Sequence, residues 1–184
     1  EYDPATNLWG PVKEKMPTPR SRGGAATYNG QIYVSGGEIT NRQLSAAFRA
    51  LERYDPVADV WTPISLQQTT APTARSGHAA VWTGSEMLLW GGTAPSGSPP
   101  VDSKPFRYDP TLDTWSARSD AGAPAPFEAP SVWSGTEMIV WNTDTAAGAA
   151  YDPSSNTWRT LPTLGAPSSR RNAIVRWSGG RMLV

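Results

Sequence analysis

Apolar residues along the chain come in short runs of strand length, each closed by glycine, proline or a polar cluster. Segments 25–28, 79–82, 131–133 and 175–177 each end on an aromatic residue: Tyr28, Trp82, Trp133 and Trp177. A short glycine turn follows each one (Gly30, Gly84, Gly135, Gly179), and then a second apolar run at 31–35, 86–90, 137–141 and 181–184. This pattern predicts two antiparallel strands, A and B, joined by a tight turn. A third strand, C, is expected to end at Tyr108 and its equivalents, and a fourth, D, to surround Trp115 and its equivalents. Each unit would then form a four-stranded sheet.

The units repeat. Tyr-Asp-Pro occurs at Tyr2-Asp3-Pro4, Tyr54-Asp55-Pro56, Tyr108-Asp109-Pro110 and Tyr151-Asp152-Pro153, with a tryptophan seven residues after each tyrosine at Trp9, Trp61, Trp115 and Trp158. Successive tyrosines lie 52, 54 and 43 residues apart, within the range of propeller blades. The aspartate can bond its own backbone in a turn, and the proline cannot continue a strand ladder, so the motif closes strand C. The tryptophan falls in the outer strand, where its bulk can pack between blades. Glycine pairs after strand B (Gly36-Gly37, Gly91-Gly92) permit positive φ or close backbone approach near a crowded axis; the third copy reads Trp141-Asn142 instead.

An apolar strand, paired glycines, Tyr-Asp-Pro and then Trp resemble the kelch repeat, and the resemblance covers essentially the whole chain. The wording of the repeat, including Trp133-Ser134-Gly135-Thr136-Glu137-Met138, looks like bacterial kelch proteins, many of them secreted or otherwise extracytoplasmic. The expected fold is an all-β β-propeller of four-stranded blades. Within residues 1–184 the frame gives a half-blade at 1–12, blades at about 20–65, 75–118 and 127–164, and a half-blade at 170–184. The two half-blades can join as a composite fourth blade, or two chains can close an eight-bladed ring as a homodimer. The chain can also be a fragment of a longer propeller: kelch rings have six or seven blades, there is no initiator Met or signal peptide, and Val184 precedes the glycines expected after strand B.

In such a blade the B–C and D–A loops emerge on one face, and the A–B and C–D turns on the other. The latter are uniform, so that face is expected to be blunt. The loops of the first face vary, and variable loops on a repeated scaffold carry function. They hold Arg20, Arg22, Arg75, His78, Glu128, Arg170 and Arg171, the candidate ligand-binding residues. Counting back seven from the strand A aromatic makes Arg75 and Arg170 equivalent, lands on Ser21 between Arg20 and Arg22 in the first blade, and on Pro126 in the third. Guanidiniums near an axis suit capture of a carboxylate, and also pairing with a neighbouring blade. Glu128 would sit among them in the blade that lacks the arginine. The loop at 38–53 includes helix-forming residues at 44–51 and can make a short helical excursion or run extended. The loop at 93–104 reads as irregular.

Composition narrows the chemistry. Sixteen Lys plus Arg balance sixteen Asp plus Glu, so no global field argues for nucleic acid. No apolar run is long enough to span a membrane as a helix, and a soluble chain is expected. There is no cysteine and one histidine, which removes disulfides, thiolate nucleophiles and most zinc sites and leaves no metal or other cofactor expected. The same counts exclude the Tyr-Cys radical centre of the copper kelch oxidases. No serine-triad or phosphate-loop motif is present. The reading that results is a module binding a protein, peptide or glycan ligand through the variable face. The alternative, implied by the kelch resemblance, is a sugar-active enzyme similar to sialic-acid mutarotases, with Arg75 and Arg170 clamping a carboxylate and Glu128 as acid/base.

Overall fold

The computed structural model describes residues 2–40, 45–47, 50–64, 70–170 and 173–184, and every element among them is a β-strand. The chain opens with the pair β1 (Tyr2–Asp3) and β2 (Leu8–Trp9). Blade 1 starts with β3 (Gly24–Tyr28) and β4 (Gln31–Ser35), is interrupted by the hairpin β5 (Glu38–Thr40) and β6 (Ser45–Ala47), and finishes with β7 (Leu51–Asp55) and β8 (Val60–Ile64). Blade 2 comprises β9 (Ala79–Trp82), β10 (Met87–Trp90), β11 (Phe106–Asp109) and β12 (Thr114–Ala117). Blade 3 comprises β13 (Ser131–Trp133), β14 (Met138–Asn142), β15 (Ala147–Asp152) and β16 (Thr157–Thr160), and the pair β17 (Arg176–Ser178) and β18 (Arg181–Leu183) follows.

Each full blade is a four-stranded antiparallel meander with its A strand at one edge. The innermost strands adjoin in sequence, β3 beside β9, β9 beside β13 and β13 beside β17, so the blades turn about a common axis. The structure is a β-propeller architecture, as the repeats imply. Two open alternatives are narrowed. Among the described residues β1–β2 and β17–β18 are separate two-stranded sheets and not one composite blade. At 45–47 the long loop is extended, because β6 pairs antiparallel with β5 (Glu38 opposite Ala47) and gives those backbone groups ladder partners. Residues 44, 48 and 49 of that loop lie outside the described residues.

The offset of seven has a direct origin in the sheet. Tyr2, Tyr54, Tyr108 and Tyr151 stand opposite Trp9, Trp61, Trp115 and Trp158 across the C–D ladder, with ring centroids 4.9–5.3 Å apart. The tryptophans of blades 2 and 3 fill the seams between blades. Trp115 lies in a core shared with Ala26, Tyr33 and Leu51 of blade 1, and Trp158 lies 5.0 Å from Trp90 in the core between blades 2 and 3. The paired glycines cross the same seams by backbone. Gly37 N donates to Arg75 O and Gly92 N to Phe127 O, both at 2.9 Å, with Gly37 at φ 91° and Gly92 at φ 86°.

Candidate functional site

The arginines of the D–A loops divide by depth. Arg20, Arg75 and Arg170 share one geometry, each donating Nε to the carbonyl two residues before it (Thr18, Thr73 and Ser168). Arg20 and Arg75 also donate Nη1 to the first glycine of the pair that follows, Gly36 at 3.2 Å and Gly91 at 3.1 Å. The blade 1 equivalent of Arg75 is therefore Arg20, and the position that the aromatic count gave to Ser21 shifts by one. The A–B hairpins themselves match, Gly24 opposite Ser35 and Ala79 opposite Trp90, but Tyr28 stands one position further along its strand than Trp82, which corresponds to Thr27, so the aromatics are not in register.

These deep guanidiniums hold the scaffold. Arg20 has 2% of its side chain exposed and pairs with Glu52 at 2.7 Å. Arg75 is 1% exposed and lies 3.9 Å from Asp102, with its guanidinium 5.1 Å over the Phe106 ring. Burial pulls the Arg75 pKa down to about 10, partly opposed by Asp102. Arg170 is exposed, and Arg171 lies outside the described residues.

His78 is the hinge of the seam between blades 1 and 2. A side chain at Gly24 or Gly36 would run into its imidazole at 2.7 Å and 2.6 Å, so those glycines exist to seat it. His78 Nε2 lies 2.8 Å from Ser35 Oγ. Ser35 Oγ donates to Gly24 O, so the consistent tautomer carries its proton on Nε2 and donates it to Ser35. That leaves Nδ1, buried and without a hydrogen-bond partner among the described residues, as an unmatched acceptor, a cheaper defect than an unmatched donor. Burial, and secondarily the Arg75 charge, hold the His78 pKa down to about 3. The ring is neutral throughout the physiological range.

Above these residues an open cleft of about 610 Å³ is lined by Arg22, Gly77, His78, Glu128, Thr143 and Ile174, among others. At its edge, side chains from three blades form a closed polar circuit. Arg22 Nη1 donates to Glu38 Oε1 at 3.0 Å, and Glu38 Oε2 accepts from Ser76 Oγ at 3.0 Å. Ser76 Oγ adjoins Thr93 Oγ1 at 3.4 Å, Thr93 Oγ1 reaches Glu128 Oε1 at 3.5 Å, and Glu128 pairs back to Arg22. Gly77 lies beneath, where a Cβ would meet Glu128 Cγ at 3.0 Å. The side chains of Arg22 and Glu128 are 41% and 49% exposed, so this pair, unlike Arg75, is open to a ligand. Among the described residues no group of His, Asp and Glu is placed to hold a metal.

Of the candidates, the structure brings Arg22, His78 and Glu128 to one cleft and keeps Arg20 and Arg75 below it. Glu38, Ser76 and Thr93 were missed as site residues. Their signal is a long-range bridge, Ser21 to Glu38 and Ser76 to Thr93, which has no local sequence signature. The opposite face also differs from expectation. It is not blunt, because a second cleft opens there between the turns of blades 2 and 3.

Antiparallel four-stranded blades, inter-blade tryptophans and glycine pairs bonded across the seams define a kelch-type β-propeller. The chain belongs to the KLHDC2/KLHL20/DRC7 kelch-repeats domain family, whose model matches residues 1–184. It is 31% identical over 97 residues to Kelch domain-containing protein 3 of both Bos taurus and Homo sapiens, a match covering 52% of this chain and 25% of theirs. The match thus spans about a quarter of the length of these relatives. The solved structure of YjhT superposes with a TM-score of 0.65 at 19% identity, covering 85% of this chain and 56% of that one, and supports the fold. No helix among the described residues is long and apolar enough to cross a membrane.

Proposed function

We propose that the chain is a partner-binding module whose working surface is the Arg22–Glu128 cleft, and that its partner is a protein or peptide segment. One observation carries this reading. Deep arginines are consumed by carbonyls and carboxylates of the scaffold, while one half-exposed guanidinium and one half-exposed carboxylate are held at the cleft edge by contributions from three blades. Such a pair offers a donor fork and an acceptor to a peptide, which has both groups in every residue. Ile174 beside them is 66% exposed and supplies apolar contact.

The test is selection of peptides from a random display library on the wild-type chain, followed by titration against variants. Arg22→Ala with Glu128→Gln is expected to weaken selected peptides at least about tenfold, and Arg159→Ala on a strand away from the cleft to leave them unchanged. Peptides that bind the double variant equally well would overturn the reading.

The sugar-active alternative keeps one support, the Arg22–Glu128 pair in an open cleft, but needs Arg22 in the clamping place first given to Arg75. It requires acceleration of anomer exchange in freshly dissolved sialic acid, abolished by Glu128→Gln.

A further inference from the structure

The face opposite the Arg22–Glu128 cleft carries a second polar cleft, of about 590 Å³, between blades 2 and 3. Its wall contains a residue that breaks the repeat. Three positions after the strand D tryptophan, blades 1 and 3 place Ile64 and Leu161, and blade 2 places Arg118. The backbone is equivalent: Arg118 N donates to Pro105 O and Leu161 N to Gly148 O, at 2.8 and 2.9 Å. Ile64 and Leu161 pack against the cores of their seams. In blade 2 that filler is absent, and a guanidinium lines an open space instead.

The Arg118 Nε is buried and, among the described residues, has no hydrogen-bond partner. The nearby acids make their direct bonds elsewhere, with Glu86 acting on Arg118 only through space. Glu86 pairs with Arg107 at 3.0 Å, and Asp152 accepts from Ser154 N, Ser154 Oγ and Ser155 Oγ within its own turn. A buried, unpartnered donor on a cation is costly unless something fills the space. From the other side of the cleft blade 3 contributes the half-buried indole of Trp133 and the hydroxyl of Thr136, and blade 2 adds the hydroxyl of Ser85.

We propose that this cleft is a binding site for a small sugar acid. Arg118 takes the ligand carboxylate, Trp133 gives an apolar surface to the ring, and the hydroxyls of Ser85 and Thr136 exchange hydrogen bonds with those of the sugar. A guanidinium beside an indole with hydroxyls around it matches a carboxylate on a hydroxylated ring better than a bare inorganic anion, which would leave the indole and hydroxyls unused. The site is independent of the peptide-binding reading, since no residue is shared between the two clefts.

Titration with glucuronate, followed by tryptophan fluorescence and calorimetry, tests it, with glucose and acetate as the two half-ligands. The wild type is expected to bind glucuronate, and glucose and acetate each at least about tenfold more weakly. Arg118→Leu installs the residue type blade 3 already accommodates, so it should keep or raise the thermal midpoint while abolishing the response; Arg118→Gln serves the same purpose where the leucine misfolds. Arg22→Ala should bind as wild type. The proposal fails if glucuronate does not bind, if it binds Arg118→Leu or Arg118→Gln with unchanged affinity, or if acetate alone binds as well as glucuronate.

Discussion

His78 and Arg75 show how one residue can set a seam. His78 is neutral when folded, with its pKa held to about 3 by burial, and it titrates near 6.5 when unfolded. The unfolded chain therefore binds a proton that the folded chain refuses, so stability is full above pH 6.5 and falls as the pH drops below it. Between pH 6.5 and about 5, before ordinary carboxylates titrate, the slope should approach about 1.4 kcal/mol per pH unit. Urea unfolding across that range should show it, and His78→Asn, though less stable overall, should be nearly flat; an equal slope in the variant would assign the effect elsewhere. Arg75 makes the complementary case. Arg75→Met strands the carbonyls of Gly91 and Thr73 in the interior and should cost about 2–4 kcal/mol, whereas Arg170→Ala, at the equivalent but exposed position, should fall within about 0.5 kcal/mol of wild type. Both are read from urea midpoints. The sequence made Arg75 and Arg170 equal by spacing, and spacing does not report depth.

At the scale of the element, the C–D turn explains most of what was legible in the chain. Asp55, Asp109 and Asp152 cap their own turns by accepting from backbone N–H groups two residues on, which is why Tyr-Asp-Pro could be read as a strand end. A further position was not read. The residue five after each tyrosine (Asn7, Asp59, Asp113, Asn156) has φ of 51–57° and accepts a hydrogen bond from that tyrosine's hydroxyl. Asp or Asn is required twice over there, for the left-handed backbone and for the acceptor. Asp113→Asn should consequently be near neutral, and Asp113→Ala should cost about 1–2 kcal/mol by adding backbone strain to a lost bond at the half-buried Tyr108 hydroxyl. Thermal unfolding of the two variants distinguishes them, and equal loss in both would point to the carboxylate charge instead. Four strands per blade and their order were legible because each is set by local pattern and a short turn. Depth, the Arg20 register and the Glu38–Ser76–Thr93 circuit were not, because they are decided by contacts between blades.

At the scale of the molecule, the question is whether the three full blades act as independent units or as one body. Repeat arrays are sums of units and interfaces, and the interface share decides their cooperativity. Here that share is large. No full blade owns its core: Trp115 is buried with blade 1 residues, Trp158 with Trp90 of blade 2, and Val132 and Trp141 of blade 3 with Val175, the residue that leads into the last sheet. Backbone bonds reinforce each seam, and those of Gly37 and Gly92 demand positive φ in a space with no room for a side chain. A Cβ at Gly92 would lie 2.6 Å from Ser76 O, with no soft neighbour to yield, so Gly92→Ala forces the seam apart. The expected consequence is not confined to blade 2. Hydrogen exchange should show amide protection falling together in β4, β10 and β14, the B strands of all three blades, and the Arg22–Glu128 cleft, built from loops of blades 1 to 3, should lose its peptide ligand in the same variant. By contrast β1–β2, with Leu8 and Trp9 largely exposed, lies outside the shared cores and should exchange early in wild type and variant alike. Loss of protection restricted to β9–β12 would show that the blades fold as separate units, and would leave the cleft without the rigid frame on which its circuit of three blades depends.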